Sequence, residues 1–217
     1  MARDKKKERD EERRRNARLK GEIRKFDDPI LAQTCLEVAP DENLDFLRRM
    51  RQVCLATTTG VGLAAPQIGI LKRAIFIKPH RLTSSITSCH EWLLNPEILD
   101  HSEETDLGIE GCLSYPGYSG MVERWQWIKL RYLSVSPGEI LAPKETIKIF
   151  KDWEARVVMH ELQHLFGICV VRRFWESANN IHHASIKLNG LMVNDYGGVD
   201  GLRRTDWQLD SAGERSK

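Results

Sequence analysis

Between residues 41 and 58, Leu44, Leu47, Met50 and Val53 recur at three-residue steps, with Arg48, Arg49 and Arg51 between them. That spacing predicts an amphipathic helix. Asp41 is placed to cap its start, and the Thr-Thr-Thr-Gly of 57–60 should end it, because β-branched residues and glycine disfavour continuation. The pattern then shortens to strands over 71–78 and 92–98, where Pro96 implies an edge or a bulge. A long β segment is predicted over 121–135, turned by Pro137-Gly138, and more strand follows over 139–150. Residues 80–90 and 100–106 read as loops, and 108–117 as a run of turn formers around Cys112. A second helix is expected over 152–166, with Asp152 as its N-cap and Gly167 just past its end. Strands ahead of one late helix predict an α+β fold, antiparallel or mixed sheets wrapped about that helix.

The chain of 217 residues has an ordinary hydrophobic fraction of 41%, enough for one domain with a sizeable core. Charge is unevenly spread. Residues 1–25 hold twelve Lys or Arg and six Asp or Glu, about +6, while the whole chain is +2, leaving about −4 for the rest. With so few apolar residues, 1–25 is expected to be a disordered or loosely helical arm, either solvated or drawn to RNA such as the ribosome. Residues 26–175 form the expected catalytic domain, and 176–217 an extension of unassigned structure. No apolar run reaches the length of a membrane span and no apolar signal core opens the chain. A soluble, monomeric protein of the cytoplasm, or of an organelle with bacterial-type translation, is expected. The five cysteines are odd in number and form no C-x-x-C pair, so a disulfide framework is not expected. Cys54 and Cys169 sit in apolar runs and read as small buried hydrophobes.

The late helix carries His160-Glu161-Leu162-Gln163-His164. Residues four apart share a helix face, so two imidazoles can point at one cation. Glu161 is one step round, able to move a proton without ligating. Two ordinary histidines on a surface helix would give the same string, and a third ligand must come from elsewhere. Adjacent His182 and His183 face apart in helix or strand, which makes them poor candidates. Earlier, the small-residue run Gly60-Val61-Gly62-Leu63-Ala64-Ala65-Pro66-Gln67 is a tight loop that something approaches closely. It lacks the residues that follow a phosphate-binding glycine loop.

Taken together, Gly60 to Gln67, Glu110-Gly111-Cys112-Leu113-Ser114 and the His160 to His164 motif resemble the peptide deformylases, in order and in separation, over roughly residues 26–175. The resemblance implies removal of the N-formyl group from formylmethionine at the start of nascent polypeptides, by water bound to a divalent metal. It implies Cys112, His160 and His164 as metal ligands, with Fe(II) the native ion and Zn(II), Ni(II) or Co(II) as possible substitutes. It makes Glu161 base and then acid, and Gln67 and the Leu113 N–H the oxyanion donors. An extended peptide would pair with main-chain groups of Val61 and Gly111, Gly60 and Gly62 giving it room. Val157 would line the methionine pocket, and Glu110, beside the substrate, would pair with Arg124. Two positions depart from the family pattern. Gln163 stands where Asp is usual, and Ser119 lies where a basic residue normally contacts the substrate chain. A different H-E-x-x-H hydrolase would instead need His182, His183 or Glu176 as third ligand, and an inactive ribosome-bound relative would keep the motif without turnover.

Overall fold

The structure is a computed structural model that describes residues 2–78, 91–135, 143–169, 171, 192–193 and 199–200. Seven strands follow one another along the chain: β1 (Gly62–Ala64), β2 (Ala74–Ile77), β3 (Glu91–His101), β4 (Thr105–Cys112), β5 (Tyr115–Trp125), β6 (Trp127–Val135) and β7 (Lys144–Lys151). They form one antiparallel sheet in the order β1-β2-β3-β6-β7 and a separate two-stranded sheet of β4 and β5. Side chains on successive strand residues point to opposite faces, and the large sheet uses both. Phe76, Trp92 and Leu94 face one core, with Leu47, Met50 and Val53 of α2 (Asp45–Ala56). Ile75, Leu93, Leu130 and Tyr132 face the other, with Val158, Met159 and Leu162 of α3 (Asp152–Leu165). Helix α3 lies between the large sheet and the small one, and every residue from Ala155 to Leu165 is buried. This is the expected α+β arrangement about a central helix.

The differences from expectation are local. Helix α2 starts at Asp45 rather than near 41; the Asn43 side chain, not Asp41, accepts the Asp45 N–H at 2.8 Å. Residues 108–117 are mostly strand, β4 and β5 being joined tightly through Leu113 and Ser114. Backbone pairing with a neighbour outweighs the local turn preference of Gly108 and Gly111. Pro96 does sit at a bulge, where the β3–β6 register shifts between Leu94 and Glu97, but β3 is an interior strand. Asp152 is the first residue of α3 rather than its cap, with φ +50 and its N–H bonded to the Gln126 carbonyl.

The basic arm is α1 (Ala2–Lys20), and its end is part of the domain rather than loose: Leu19 and Ile23 are buried in the α2 core, and Glu22 pairs with Arg49. Leu19 in the last turn and Ile23 just past the helix end bury enough apolar surface to anchor the end of an otherwise solvated helix. Among the described residues no helix is long and apolar enough to cross a membrane. The expected loop over 80–90, the Pro137-Gly138 turn and His182-His183 lie outside the described residues. Of the 176–217 extension, a short antiparallel pair is described, β8 (Met192–Val193) with β9 (Val199–Asp200).

Candidate metal centre

A helix apolar on all sides belongs in a core, and α3 departs from that rule at Arg156, His160, Glu161, Gln163 and His164, all buried. Buried polar groups are the informative ones. Arg156 is one turn ahead of His160 on the same face. Its guanidinium donates to the carbonyls of Asp106 (2.7 Å) and Val122 (2.7 Å) and to Glu110 Oε1 (3.0 Å), so it ties both strands of the small sheet to α3. Gly108 admits it: a Cβ there would lie 2.8 Å from the guanidinium carbon.

Glu110 is the hub. Arg124 donates to both of its oxygens at 2.8 Å, and His160 Nδ1 lies 2.9 Å from Oε2. A carboxylate only accepts, so Nδ1 carries the ring proton and Nε2 is the nitrogen left for a ligand bond. Burial alone would raise the Glu110 pKa. The Arg124 charge and the hydrogen bonds from Arg124 and His160 outweigh it and hold the carboxyl well below the usual range. Glu110 was expected beside the substrate and paired with Arg124; it lines the cleft, and its carboxylate is held by Arg124, His160 and Arg156.

Cys112 ends β4 and faces the helix. Its Sγ is 3.3 Å from His164 Nε2 and 3.6 Å from the Gln67 amide nitrogen. Two of the three expected ligands, Cys112 and His164, therefore come together from distant parts of the chain, and the His160 ring lies 5.2 Å from that of His164, centre to centre. Cys169, read from the sequence as a buried hydrophobe, is only half-buried and comes to the same place. The ligand atoms of Cys112, His164 and Cys169 all lie within 4.8 Å of one another. Burial pushes the Cys112 thiol up to about 11, and the hydrogen bond with Cys169 pushes the same way. A thiolate here at neutral pH therefore calls for a positive charge against the sulfur, as a bound cation provides. His164 Nδ1 and Glu161 Oε2 are buried without a hydrogen-bond partner among the described residues. Sulfur beside an imidazole nitrogen, with a second imidazole one turn earlier on the same helix, is a donor chemistry that suits a borderline divalent metal.

Glu161 sits over β1. A Cβ on Gly62 would lie 2.7 Å from Glu161 Oε1, so the glycine makes room for that carboxylate and not only for an incoming chain. Burial pushes the Glu161 carboxyl up to about 7, with the Glu110 charge adding to the rise and His160 opposing it. Gln67 is held on a short 3-10 turn; its Oε1 accepts the Ala64 N–H at 2.9 Å, which turns its NH₂ toward Cys112 and the Ser114 hydroxyl (3.2 Å). Gly60 is close to the side chains of Thr57 and Leu113, whereas a Cβ on Gly111 would meet only ordinary contacts. A cleft of about 680 Å³ is lined by Gly60, Val61, Gly62, Gln67, Gly111, Leu113, Val157, His160 and Glu161, with Lys20 and Lys25 at the arm's end. His164 lies behind Cys112, off the cleft wall. Gln163 is buried with its Oε1 unpartnered among the described residues, and Ser119 pairs with Gly111 across the hairpin. Sequence reasoning missed Arg156 and Cys169. An arginine inside an apolar helix pattern was the one available signal for the first.

The family model for polypeptide deformylase matches residues 20–180. The peptide deformylase of Natranaerobius thermophilus is 36% identical over 152 residues, covering 70% of this chain and 90% of that protein. Peptide deformylase 1 of Clostridium acetobutylicum is 36% identical over 159 residues, 73% of this chain and 97% of that one. Among solved structures, a Met-Ala-Ser-bound class I type b peptide deformylase from Acinetobacter baumannii has a TM-score of 0.57 at 35% identity, covering 70% of this chain and 96% of that one. The enzyme from Thermotoga maritima has a TM-score of 0.58 at 33% identity, covering 69% and 94%.

Proposed function

The chain belongs to the polypeptide deformylase family, metal-dependent hydrolases that remove the N-formyl group from nascent polypeptides, and on that premise we propose which of its residues carry out the reaction. Cys112, His160 and His164 hold one divalent cation, natively Fe(II), with Zn(II), Ni(II) or Co(II) able to substitute. A cation there supplies Lewis acidity, lowering the pKa of water and polarising the formyl carbonyl. The Glu110 carboxylate acts one step back, fixing the His160 tautomer rather than touching substrate.

Glu161 moves the proton. Its carboxylate takes one from the attacking water and returns it to the amine as the C–N bond breaks, so formate and a free methionyl terminus leave. The Glu161 carboxylate is buried, has its Oε2 unpartnered among the described residues and lines the same cleft as Gln67, Cys112 and His160, and this placement carries the reading. The Gln67 amide and the Leu113 N–H donate to the developing oxyanion, each such donor contributing about 10²–10³ in rate. The outer edge of β1 and the free edge of β4 both border the cleft, which supports an extended peptide entering as an added strand against Val61 and Gly111. Val157 forms part of the pocket wall for the methionine side chain. Main-chain recognition leaves the enzyme tolerant of the sequence that follows. The enzyme works as a cytoplasmic monomer, and the basic face of α1 favours attachment to ribosomal RNA.

Formate release from formyl-Met-Ala-Ser by reduced, metal-replete protein tests the assignment. Wild type turns over, whereas Glu161→Ala loses about 10²–10⁴ in kcat with its metal content unchanged. Full activity in Glu161→Ala would remove the base from the scheme. Loss of metal in His183→Ala but not in Cys112→Ala would replace the ligand set.

A further inference from the structure

The residues that leave α1 reach both sides of the cleft in order. Ile23 is buried in the α2 core. The Arg24 N–H donates to the Gln67 carbonyl at 2.8 Å. Lys25 Nζ donates to the Leu113 carbonyl at 3.0 Å. The Phe26 ring meets that of Tyr115, with centroids 6.1 Å apart. Four consecutive residues thus join α2, the short turn that carries Gln67, and the two-residue link Leu113-Ser114 with the start of β5.

Those two turns belong to different sheets. The Gln67 turn follows β1 of the large sheet, and Leu113 lies between the two strands of the small one. A side-chain bond also joins them, from the Gln67 amide to the Ser114 hydroxyl at 3.2 Å. The segment that spans them is itself held. Glu22 pairs with Arg49, and the Asp28 N–H closes on the Lys25 carbonyl at 2.8 Å. The Arg24 guanidinium packs against Gly69, where a Cβ would lie 2.8 Å from Nη2. Lys25 lines the cleft, but its ammonium is directed at a main-chain carbonyl of the wall, a charge-assisted bond stronger than a neutral one.

We propose that Lys25 is a positioning residue: it holds the Leu113 carbonyl while the Arg24 N–H holds that of Gln67, and so sets the gap between the two oxyanion donors. This rests on Gln67 and the Leu113 N–H being those donors, and deepens that reading. A donor is effective about 2.7–3.1 Å from where the oxyanion forms, and a misplacement of about 1 Å can cost about 10² in rate. With the donors on separate sheets, their spacing depends on what bridges the sheets. Lys25 does not touch the reacting atoms. Its effect falls on the transition state, where charge grows on the oxygen, rather than on substrate binding.

Steady-state kinetics with formyl-Met-Ala-Ser on Lys25→Met, Lys25→Arg and Gln67→Ala, each corrected for bound metal, test this. Methionine keeps most of the apolar stem and removes the donor. Lys25→Met should lower kcat roughly tenfold or more with KM within about twofold of wild type, the split expected when only transition-state contacts are lost. Lys25→Arg, still able to donate to the carbonyl, should regain most of that loss. If Gln67→Ala loses activity but Lys25→Met keeps its kcat, or changes only in KM, the proposal alone is overturned. A loss as large in Lys25→Arg as in Lys25→Met overturns it too. Full kcat in Gln67→Ala removes the oxyanion assignment and the proposal with it. Should Lys25→Met fold poorly, Lys25→Gln, too short to reach Leu113, takes its place under the same outcomes.

Discussion

A single carboxylate shows how burial changes the meaning of a residue pair. On a surface, Glu110 with Arg124 would contribute about 0–1 kcal/mol. Here both side chains are only 5% exposed, and Arg156 and His160 complete the network. Removing one partner from such a buried pair costs about 3–5 kcal/mol, because the charges left behind are uncompensated. Glu110→Gln should therefore destabilise the fold by about that amount in urea unfolding. It should also weaken zinc binding about 10–100-fold in a chelator competition, since His160 loses the group that orients it. A variant as stable as wild type would show that the two guanidinium groups find other acceptors. Glu161 and Glu110, though close, titrate in opposite directions. Burial raises Glu161 against the opposing charges of His160 and Arg124, while at Glu110 the Arg124 charge and the hydrogen bonds from Arg124 and His160 outweigh burial and the carboxyl falls.

At the scale of elements, the glycine of β1 is set by α3. Gly62 was expected to give an incoming peptide room, yet the atom nearest its missing Cβ is Glu161 Oε1. Gly62→Ala must push that carboxylate aside. The expected result is a fall in kcat for formyl-Met-Ala-Ser greater than the rise in KM, with a stability loss of about 1–3 kcal/mol from overpacking. Steady-state kinetics beside a thermal unfolding curve separate the two. A change confined to KM would return the glycine to a purely substrate-facing role. Where elements were predicted, their type was readable: the period of Leu47, Met50 and Val53 and the bulge at Pro96 both stand in the structure. Their ends were less so, because α2 starts at Asp45, whose N–H is taken by Asn43 and not by Asp41, and backbone pairing in β4 and β5 overrides the turn preference of their glycines.

For the whole molecule, two cores on opposite faces of one sheet bury thiols that the mechanism does not use. Burial pushes Cys54 and Cys35 up to about 12, whereas an unfolded thiol titrates near ~8.5. Above that pH the unfolded chain releases protons that the folded chain keeps, so stability is complete below it and falls as pH rises. The slope is ~1.4 kcal/mol per pH unit for each thiol, continuing toward the folded value. Urea midpoints from pH 8 to 11 should decline, and Cys54→Ala should decline less steeply. Parallel slopes in the two proteins would show that the Cys54 thiol ionises equally in both states. The same scale explains the arm: a segment charged enough to look unattached is fastened at its end, because Leu19 and Ile23 reach the core of α2.

What the sequence determined alone were features encoded over a few residues: helix or strand from the period of apolar positions, the helix end at Gly167, and the spacing that sets His160, Glu161 and His164 on neighbouring positions of one helix. Motif resemblance then supplied Cys112, and with it the family. Only the tertiary structure decided the pairings between distant segments, such as Arg156 with the small sheet, Glu110 with His160, Gly62 with Glu161 and Cys169 with Cys112. The physical reason is that periodicity records which face of an element is buried, but not which element lies against it. That is settled by sheet order and by the direction in which each turn sends the chain.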